Sequence, residues 1–317
     1  MNKGDTNMID VACLGILVAD VVVRTVHALP GPGLLSLTDH IDLHTGGCAA
    51  SSAIDMARLG LRAAVVGRIG TDGFGGFMRQ ALRNAGVSDE YVAEDPEHGT
   101  SASAVLVDAR GERSFLHCLG ANAHFTDTDV SDALLSQSGI VFAAGSMLMP
   151  SFDGEPCARV LARARRLGRT TALDTAWDDK GRWMRVLQPC MPLLDYFLPS
   201  YDEAVELSGE KNPERIAAIF QGMGVGTVVI KLGAEGCLIR RGEDLWRVPA
   251  CPVDRVVDTT GAGDAFCAGF LTGVTKGLPL EACGRMGNAV GAACVSAVGA
   301  SSGIRSMEQI QAIMAAC

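Results

Sequence analysis

Between residues 139 and 231 the chain repeats one unit: a short apolar, β-branched run, then a helical stretch, then a glycine or proline that ends it. Strands are expected at 139–144, 170–173, 196–198 and 227–231, and helices at 155–167, 202–207 and 213–221. Strands that alternate with helices of this length are joined by right-handed crossovers, which place helices on both faces of a mostly parallel sheet. The class is therefore α/β. With 317 residues, 48% of them hydrophobic and 20% charged, the chain can bury the core that such a sheet needs.

The N-terminal third differs. Residues 8–26 are apolar and broken by Asp20, a buried strand running into more exposed ones. Residues 36–45 alternate with period two, with Leu37, Ile41 and Leu43 on one face and Asp42 and His44 on the other. Gly46-Gly47 break this strand, and a helix of small residues follows over 48–59. Then come a strand at 63–67, a glycine-rich turn at 70–76 and a helix at 77–85. The segments 101–107 and 113–119, separated by D-A-R-G-E, read as a β-hairpin. Helices at 263–275, 280–297 and 307–315 close the chain. The expected organisation is one domain over 1–317, with a small β-sheet lid drawn from about 20–45 and 98–120.

Twenty-seven Lys and Arg stand against 36 Asp and Glu, a net charge of −9, so the basic footprint of a nucleic-acid binder is missing. Eleven cysteines without any C-x-x-C read as buried thiols in a reducing compartment. Asp5 and Asp10 stand where a signal peptide needs cations. The uncharged stretches 133–152 and 286–304 are interrupted by polar residues and proline or glycine, as core elements are and membrane spans are not. A cytoplasmic location, no membrane and no nucleic-acid partner are expected.

The chemistry concentrates in residues 256–270, V-V-D-T-T-G-A-G-D-A-F-C-A-G-F. A short strand ends at Asp258, and Gly261-Ala262-Gly263 then opens a helix with Asp264 in its first turn. Glycines at that junction let backbone N–H groups converge, and the helix N-terminus adds partial positive charge: an anion hole for a transferring phosphoryl group. A carboxylate at Asp264 would sit beside the bound phosphate, placed to take a proton from an attacking hydroxyl.

This segment resembles the C-terminal signature of the ribokinase family of carbohydrate kinases, also called the PfkB family. Further runs resemble the same family in order: Gly46-Gly47 with its helix to Gly60, V-G-R-I-G-T-D-G-F-G at 66–75, G-E-R-S-F, G-A-N at 120–122, L-P-S-Y-D-E-A at 198–204 and V-I-K-L-G-A-E-G at 229–236. The resemblance implies a ribokinase-like fold and ATP-dependent phosphorylation of a hydroxyl on a small sugar-like acceptor. It makes Asp264 the general base, and Gly261, Ala262 and Gly263 the anion hole. Lys231, Gly233 and Gly236 fall in the nucleotide loop, and Asn288 near the adenine. Asp20, Gly46, Gly47 and Ser51 match acceptor-binding positions. Glu203 matches an acidic residue linked to Mg²⁺, while Asp258 and Thr260 match holders of a K⁺-like ion. A homodimer through the lid strands is expected, since open strand edges invite pairing.

Three positions depart from the family pattern. Ser51 and Ser200 stand where Asn is usual, and Cys48 where some ribokinase-like members carry Lys. These touch the acceptor and metal positions, so a nucleoside or sugar-phosphate kinase, or a non-catalytic nucleotide- or sugar-binding regulator, remain the alternative expectations. Arg24 and Arg113 are the basic residues that a phosphorylated acceptor would call on. Asp174, at a strand end, is a further acceptor candidate. Residues 299–303, G-A-S-S-G, match a nucleophile-elbow pattern but follow a helical run, and no His lies beyond His124.

Overall fold

Burial on both faces makes the central strands continuous apolar runs, such as V-A-C-L-G in the first strand, whose Val11, Ala12, Cys13 and Leu14 are inaccessible to solvent. In the computed structural model, which describes residues 8–110 and 112–317, the strands are β1 (Ile9–Gly15), β2 (Val18–Val26), β3 (His40–Gly46), β4 (Ala63–Gly70), β5 (Val92–Asp95), β6 (Ala102–Asp108), β7 (Arg113–Cys118), β8 (Ser138–Ser146), β9 (Thr170–Thr175), β10 (Tyr196–Phe197), β11 (Thr227–Lys231), β12 (Cys237–Arg241) and β13 (Asp244–Val248). Asp5 and Gly111, which entered the signal-peptide and hairpin-turn arguments, lie outside the described residues.

Nine of these strands form one sheet in the order β13-β12-β11-β10-β9-β8-β1-β4-β5, parallel except for the β11-β12-β13 edge. The helices α1 (Cys48–Arg58), α2 (Gly73–Asn84), α3 (Asp132–Gln137), α4 (Glu155–Arg166), α5 (Met184–Leu187), α6 (Tyr201–Ser208), α7 (Pro213–Gly222), α8 (Ala262–Thr275), α9 (Leu280–Val295) and α10 (Met307–Ala316) complete the chain. Two large apolar clusters, one holding Leu14, Phe125, Phe152 and Phe220 and the other Cys13, Met56, Met78 and Phe270, lie on the two faces of the sheet.

The remaining four strands make a second sheet in the order β3-β2-β6-β7, the expected lid. Its β6-β7 hairpin is antiparallel as expected, while β2 and β6 run parallel because the whole β3-to-β5 segment intervenes.

Three local expectations differ. The helix expected from residue 77 starts at Gly73, inside the glycine-rich turn, because the Asp72 side chain accepts from Gly75 N and caps it. The antiparallel hairpin β12-β13 was not read from the sequence. Cys251 and Cys317 are joined in a disulfide with Cα atoms 5.2 Å apart, tying the end of α10 to the segment after β13, so the reading of the cysteines as thiols fails for this pair. Seven of the other nine are buried thiols, as expected. Among the described residues no helix is long and apolar enough to cross a membrane.

Candidate active site

The strand expected to lead into Asp258 is an irregular segment, and α8 begins after it. Gly261, at the N-cap of α8, has φ +74°, and a Cβ there would come within 2.6 Å of the Ala300 Cβ. Only glycine fits both the conformation and the space. The first N–H groups of a helix have no partner within it. Here Ala262 N–H turns back to Thr259 O at 3.2 Å, while Gly263 leaves the helix end bare. The nearest atom to a Cβ at Gly263 would be the Lys231 ammonium, at 3.3 Å. A lysine and a helix N-terminus therefore face the same small space, which suits a phosphate.

Asp264, in the first turn of α8, is partly buried. Burial pushes its carboxyl up to about 6, against the pull of Lys231 and of a hydrogen bond from the Cys48 thiol. α1 is packed on α8 so that Ser52 Oγ also donates to Asp264 O at 3.4 Å. Lys231, at the end of β11, reaches Asp174 at the end of β9, with Nζ 2.7 and 2.8 Å from its two oxygens. Burial opposes charge on both partners. Asp174, with the Glu203 and Asp264 carboxylates near it, is pushed up to about 7, and Lys231 is held above its ordinary value as an ammonium. Cys267 Sγ lies 3.4 Å from Asp174.

Glu203 is a helix-capping residue as well. Its carboxylate accepts from Ser200 N and Thr175 Oγ1, both at 2.9 Å, while Ser200 Oγ accepts from Glu203 N. Ser200, in place of the usual Asn, thus completes a reciprocal cap at α6. Three carboxylates, those of Asp174, Glu203 and Asp264, surround one ammonium, an excess of negative charge that fits a divalent cation. Among the described residues there is no cluster of three or more His, Cys, Asp or Glu with metal-ligand geometry, so such an ion would need oxygens from a bound phosphate as well.

Asp258 is held from three sides. Its oxygens accept from Thr260 N at 2.8 Å and Gly299 N at 2.9 Å, and Arg113 Nη1, from the lid, lies 2.6 Å away. Arg113 Nη2 also donates to Thr259 Oγ1 at 3.1 Å. Burial opposes the Asp258 charge, but these donors win and hold its carboxyl below the ordinary range. Between the lid and this loop lies a cavity of about 430 Å³, the size of a small-molecule site, with Asp20, Arg24, Phe115, Val257 and Thr260 among its walls.

Asp20, on β2, is hydrogen-bonded to Ser103, and burial raises its carboxyl above the usual range. A side chain at Gly46 would collide with this carboxylate. Gly46 and Gly47 lead directly into α1, whose first residue, Cys48, is hydrogen-bonded to Asp264. Ser51 is buried within α1. Gly233 and Gly236 form the turn after β11, and Asn288 spends its amide hydrogens on Val248 O and Pro249 O at 3.1 and 2.8 Å, anchoring the strand end beside that turn.

The arrangement has known relatives. The model of the pfkB family carbohydrate kinases matches residues 8–307. The chain belongs to that family. The kinase is 30% identical over 297 residues to the 2-dehydro-3-deoxygluconokinase of Bacillus subtilis, covering 85% of this chain and 86% of that protein. It is 28% identical to the ribokinase of Haemophilus influenzae, covering 93% and 95%. The solved ribokinase of Arabidopsis thaliana, in complex with ribose and ATP, superposes with a TM-score of 0.85 at 26% identity, covering 97% of this chain and 99% of that one.

For this carbohydrate kinase, sequence reasoning missed the roles of Cys48 and Cys267 in the site; it named Arg24 and Arg113 as cations for the acceptor pocket, and both line the cavity, but it missed the pairing of Arg113 with Asp258. The lysine-to-cysteine departure at position 48 was visible, but its contact with Asp264 depends on how α1 packs on α8. The Arg113–Asp258 pair joins residues 145 positions apart and left no signal in spacing.

Proposed function

We propose that this protein transfers the γ-phosphate of ATP to a hydroxyl of a small sugar-like acceptor, with Asp264 as general base. The observation that carries the reading is the convergence at one point of the α8 N-terminus, the Lys231 ammonium and the Asp264 carboxylate, whose raised pKa suits proton abstraction near neutral pH. The first-turn N–H groups around Gly261, Ala262 and Gly263 and the Lys231 ammonium balance charge on the transferring group. Asp20, with the backbone at Gly46 and Gly47 and the Ser51 end of α1, fixes the acceptor hydroxyls. Asp264 takes the proton from the hydroxyl that attacks. Asp174 keeps Lys231 charged and in place. Gly233, Gly236 and Asn288 shape the wall on which the nucleotide lies.

Glu203 and Asp174 are the residues that would hold Mg²⁺, which would supply charge neutralisation for the nucleotide phosphates. Arg113 already supplies positive charge at Asp258, so K⁺ at Asp258 and Thr260 would share that carboxylate with the guanidinium. The segments at about 20–45 and 98–120 act as one lid on a single kinase domain over 1–317, excluding water that would otherwise compete for the phosphoryl group. The outer lid face, where Ile41 and Leu116 are 66% and 68% exposed, is the surface through which two copies pair. The reading places the enzyme in the cytoplasm, where ATP is supplied.

The test is acceptor-dependent ADP release with Mg²⁺. Asp264→Asn is expected to lower turnover by about 10²- to 10⁴-fold with ATP still bound. An Asp264→Asn protein that keeps more than a tenth of the activity would sink the assignment of the base.

A further inference from the structure

Between Val248 at the end of β13 and Asp258 at the anion loop, the chain forms neither helix nor strand. This connector borders both proposed ligands. Its first residues back the nucleotide turn, where a Cβ at Gly236 would come within 2.6 Å of Ala250 N. Its last residues, Val256 and Val257, line the lid cavity. A segment with no hydrogen-bond ladder of its own is only as rigid as the ties made to it.

Those ties are few. At one end Asn288, on α9, donates to Val248 O and Pro249 O, and at the other Val257 N donates to Val295 O at 2.8 Å. Among the described residues, no hydrogen bond or ion pair holds 250–256. Pro252, Asp254, Arg255 and Val256 are exposed. What fixes the middle is Cys251. Its side chain is 4% exposed, belongs to one apolar cluster with Met286 and Val290 of α9 and Ile310 of α10, and is joined covalently to Cys317.

Cys317 is exposed, so one sulfur of the bond can be reached from solvent. Disulfides exchange by attack of a thiolate on an accessible sulfur, and exposed bridges are the labile ones. The other nine cysteines are free. A single bridge with one open end, in a chain otherwise rich in thiols, is of the kind that opens and closes rather than part of a disulfide framework.

We propose that Cys251 and Cys317 form a reversible redox site that sets the affinity for the nucleotide by fastening or releasing the 250–256 connector; this rests on the placement of ATP given above. To open the bond, one thiolate of a small dithiol attacks Cys317 Sγ, the bond between the two Sγ atoms breaks, and Cys251 leaves as a thiolate that takes up a proton. The second thiol of the dithiol then attacks the mixed disulfide, releases Cys317 as a thiol and closes the reagent into its own disulfide. Two electrons pass from the dithiol to the protein, and a small disulfide such as oxidised glutathione takes them back when the bond re-forms. With the bond open, the end of α10 no longer restrains Cys251. The connector gains conformational freedom, and ordering it against the nucleotide then costs affinity.

The test prepares the full chain with the bond closed by oxidised glutathione or opened by dithiothreitol, and counts free thiols by alkylation and mass. Hydrogen exchange over 250–257 and calorimetry of ATP with Mg²⁺ are then measured in both states, well below the unfolding transition. Opening the bond is expected to speed exchange over 250–257 by at least about tenfold and to weaken ATP binding by about 3- to 10-fold. Cys317→Ser, at an exposed position, should match the reduced wild type in both readouts and ignore dithiothreitol. That variant separates this bond from Cys48 and Cys118, the free cysteines that are not buried. A bond that oxidised glutathione does not close overturns the proposal, as do equal ATP affinities in the two states or a Cys317→Ser protein whose affinity still follows dithiothreitol. Absence of ATP binding in both states overturns the nucleotide placement itself, and the redox control with it. ATP affinity that follows the bond in a protein releasing no ADP with any acceptor upholds the redox site and overturns the catalytic reading.

Discussion

Arg113 is the lid residue whose loss should be most informative. Its guanidinium makes two polar contacts with the body, to Asp258 at 2.6 Å and Thr259 Oγ1 at 3.1 Å, and the ion pair is largely shielded, with side-chain exposures of 23% and 12%. A charge-assisted hydrogen bond in such a setting contributes about 1.5–3 kcal/mol. Arg113→Met removes both contacts but does not orphan Asp258, which keeps Thr260 N and Gly299 N. The cost therefore belongs at the low end, about 1.5–2 kcal/mol, or roughly 10- to 30-fold in the balance between a closed and an open lid. If the acceptor binds under the closed lid, as proposed, KM for the acceptor should rise by about that factor, while KM for ATP stays within about twofold. Arg113→Lys, which keeps the charge but not the fork, should fall between. Steady-state ADP release with varied acceptor and fixed ATP measures this. Acceptor and ATP constants that rise together, or an Arg113→Met enzyme indistinguishable from wild type, would refute the latch.

Other outcomes follow from the same geometry. Asp264 must be ionised to act, and with its pKa raised to about 6 the acceptor kcat/KM should fall about tenfold from pH 7 to pH 5; Lys231→Met, which removes the charge that pulls Asp264 down, should shift this limb to higher pH. Asp55 is fully buried, and burial holds its carboxyl well above the usual range despite Ser301 and Arg58. A carboxyl raised on folding stabilises below its unfolded pKa and loses that contribution as pH rises toward its folded value. Chemical denaturation should therefore show wild type losing stability relative to Asp55→Asn as pH rises above the ordinary carboxylate range, and parallel curves would contradict it. Leu116→Glu, on the outer lid face, should convert the expected dimer to monomer in light scattering without loss of the folded baseline; a wild type already monomeric at high concentration would refute the pairing.

Much of this protein was legible before any coordinates. The βα rhythm determined a mostly parallel sheet, because buried parallel strands need unbroken apolar runs and helical crossovers of a given length. The run 258–264 made the glycine-opened helix start and the carboxylate in its first turn legible, since glycine spacing and a helix start are local properties of the chain. The lid hairpin was equally local. What sequence could not supply were relations between distant residues. The Lys231–Asp174 pair spans 57 positions, and it holds Lys231 as a buried cation beside Gly263 at the start of α8. The edge hairpin β12-β13 was obscured by the charges at Arg240, Arg241, Asp244 and Arg247, which an exposed edge tolerates. Above all, the character of the acceptor cavity depended on which faces of four strands turn inward. A one-residue change of register would have put Val21, Leu116 and Ser114 there in place of Asp20, Phe115 and Arg113. Local chemistry is written in neighbouring residues and survives in the sequence, whereas a pocket is made by surfaces that meet only when the chain has folded.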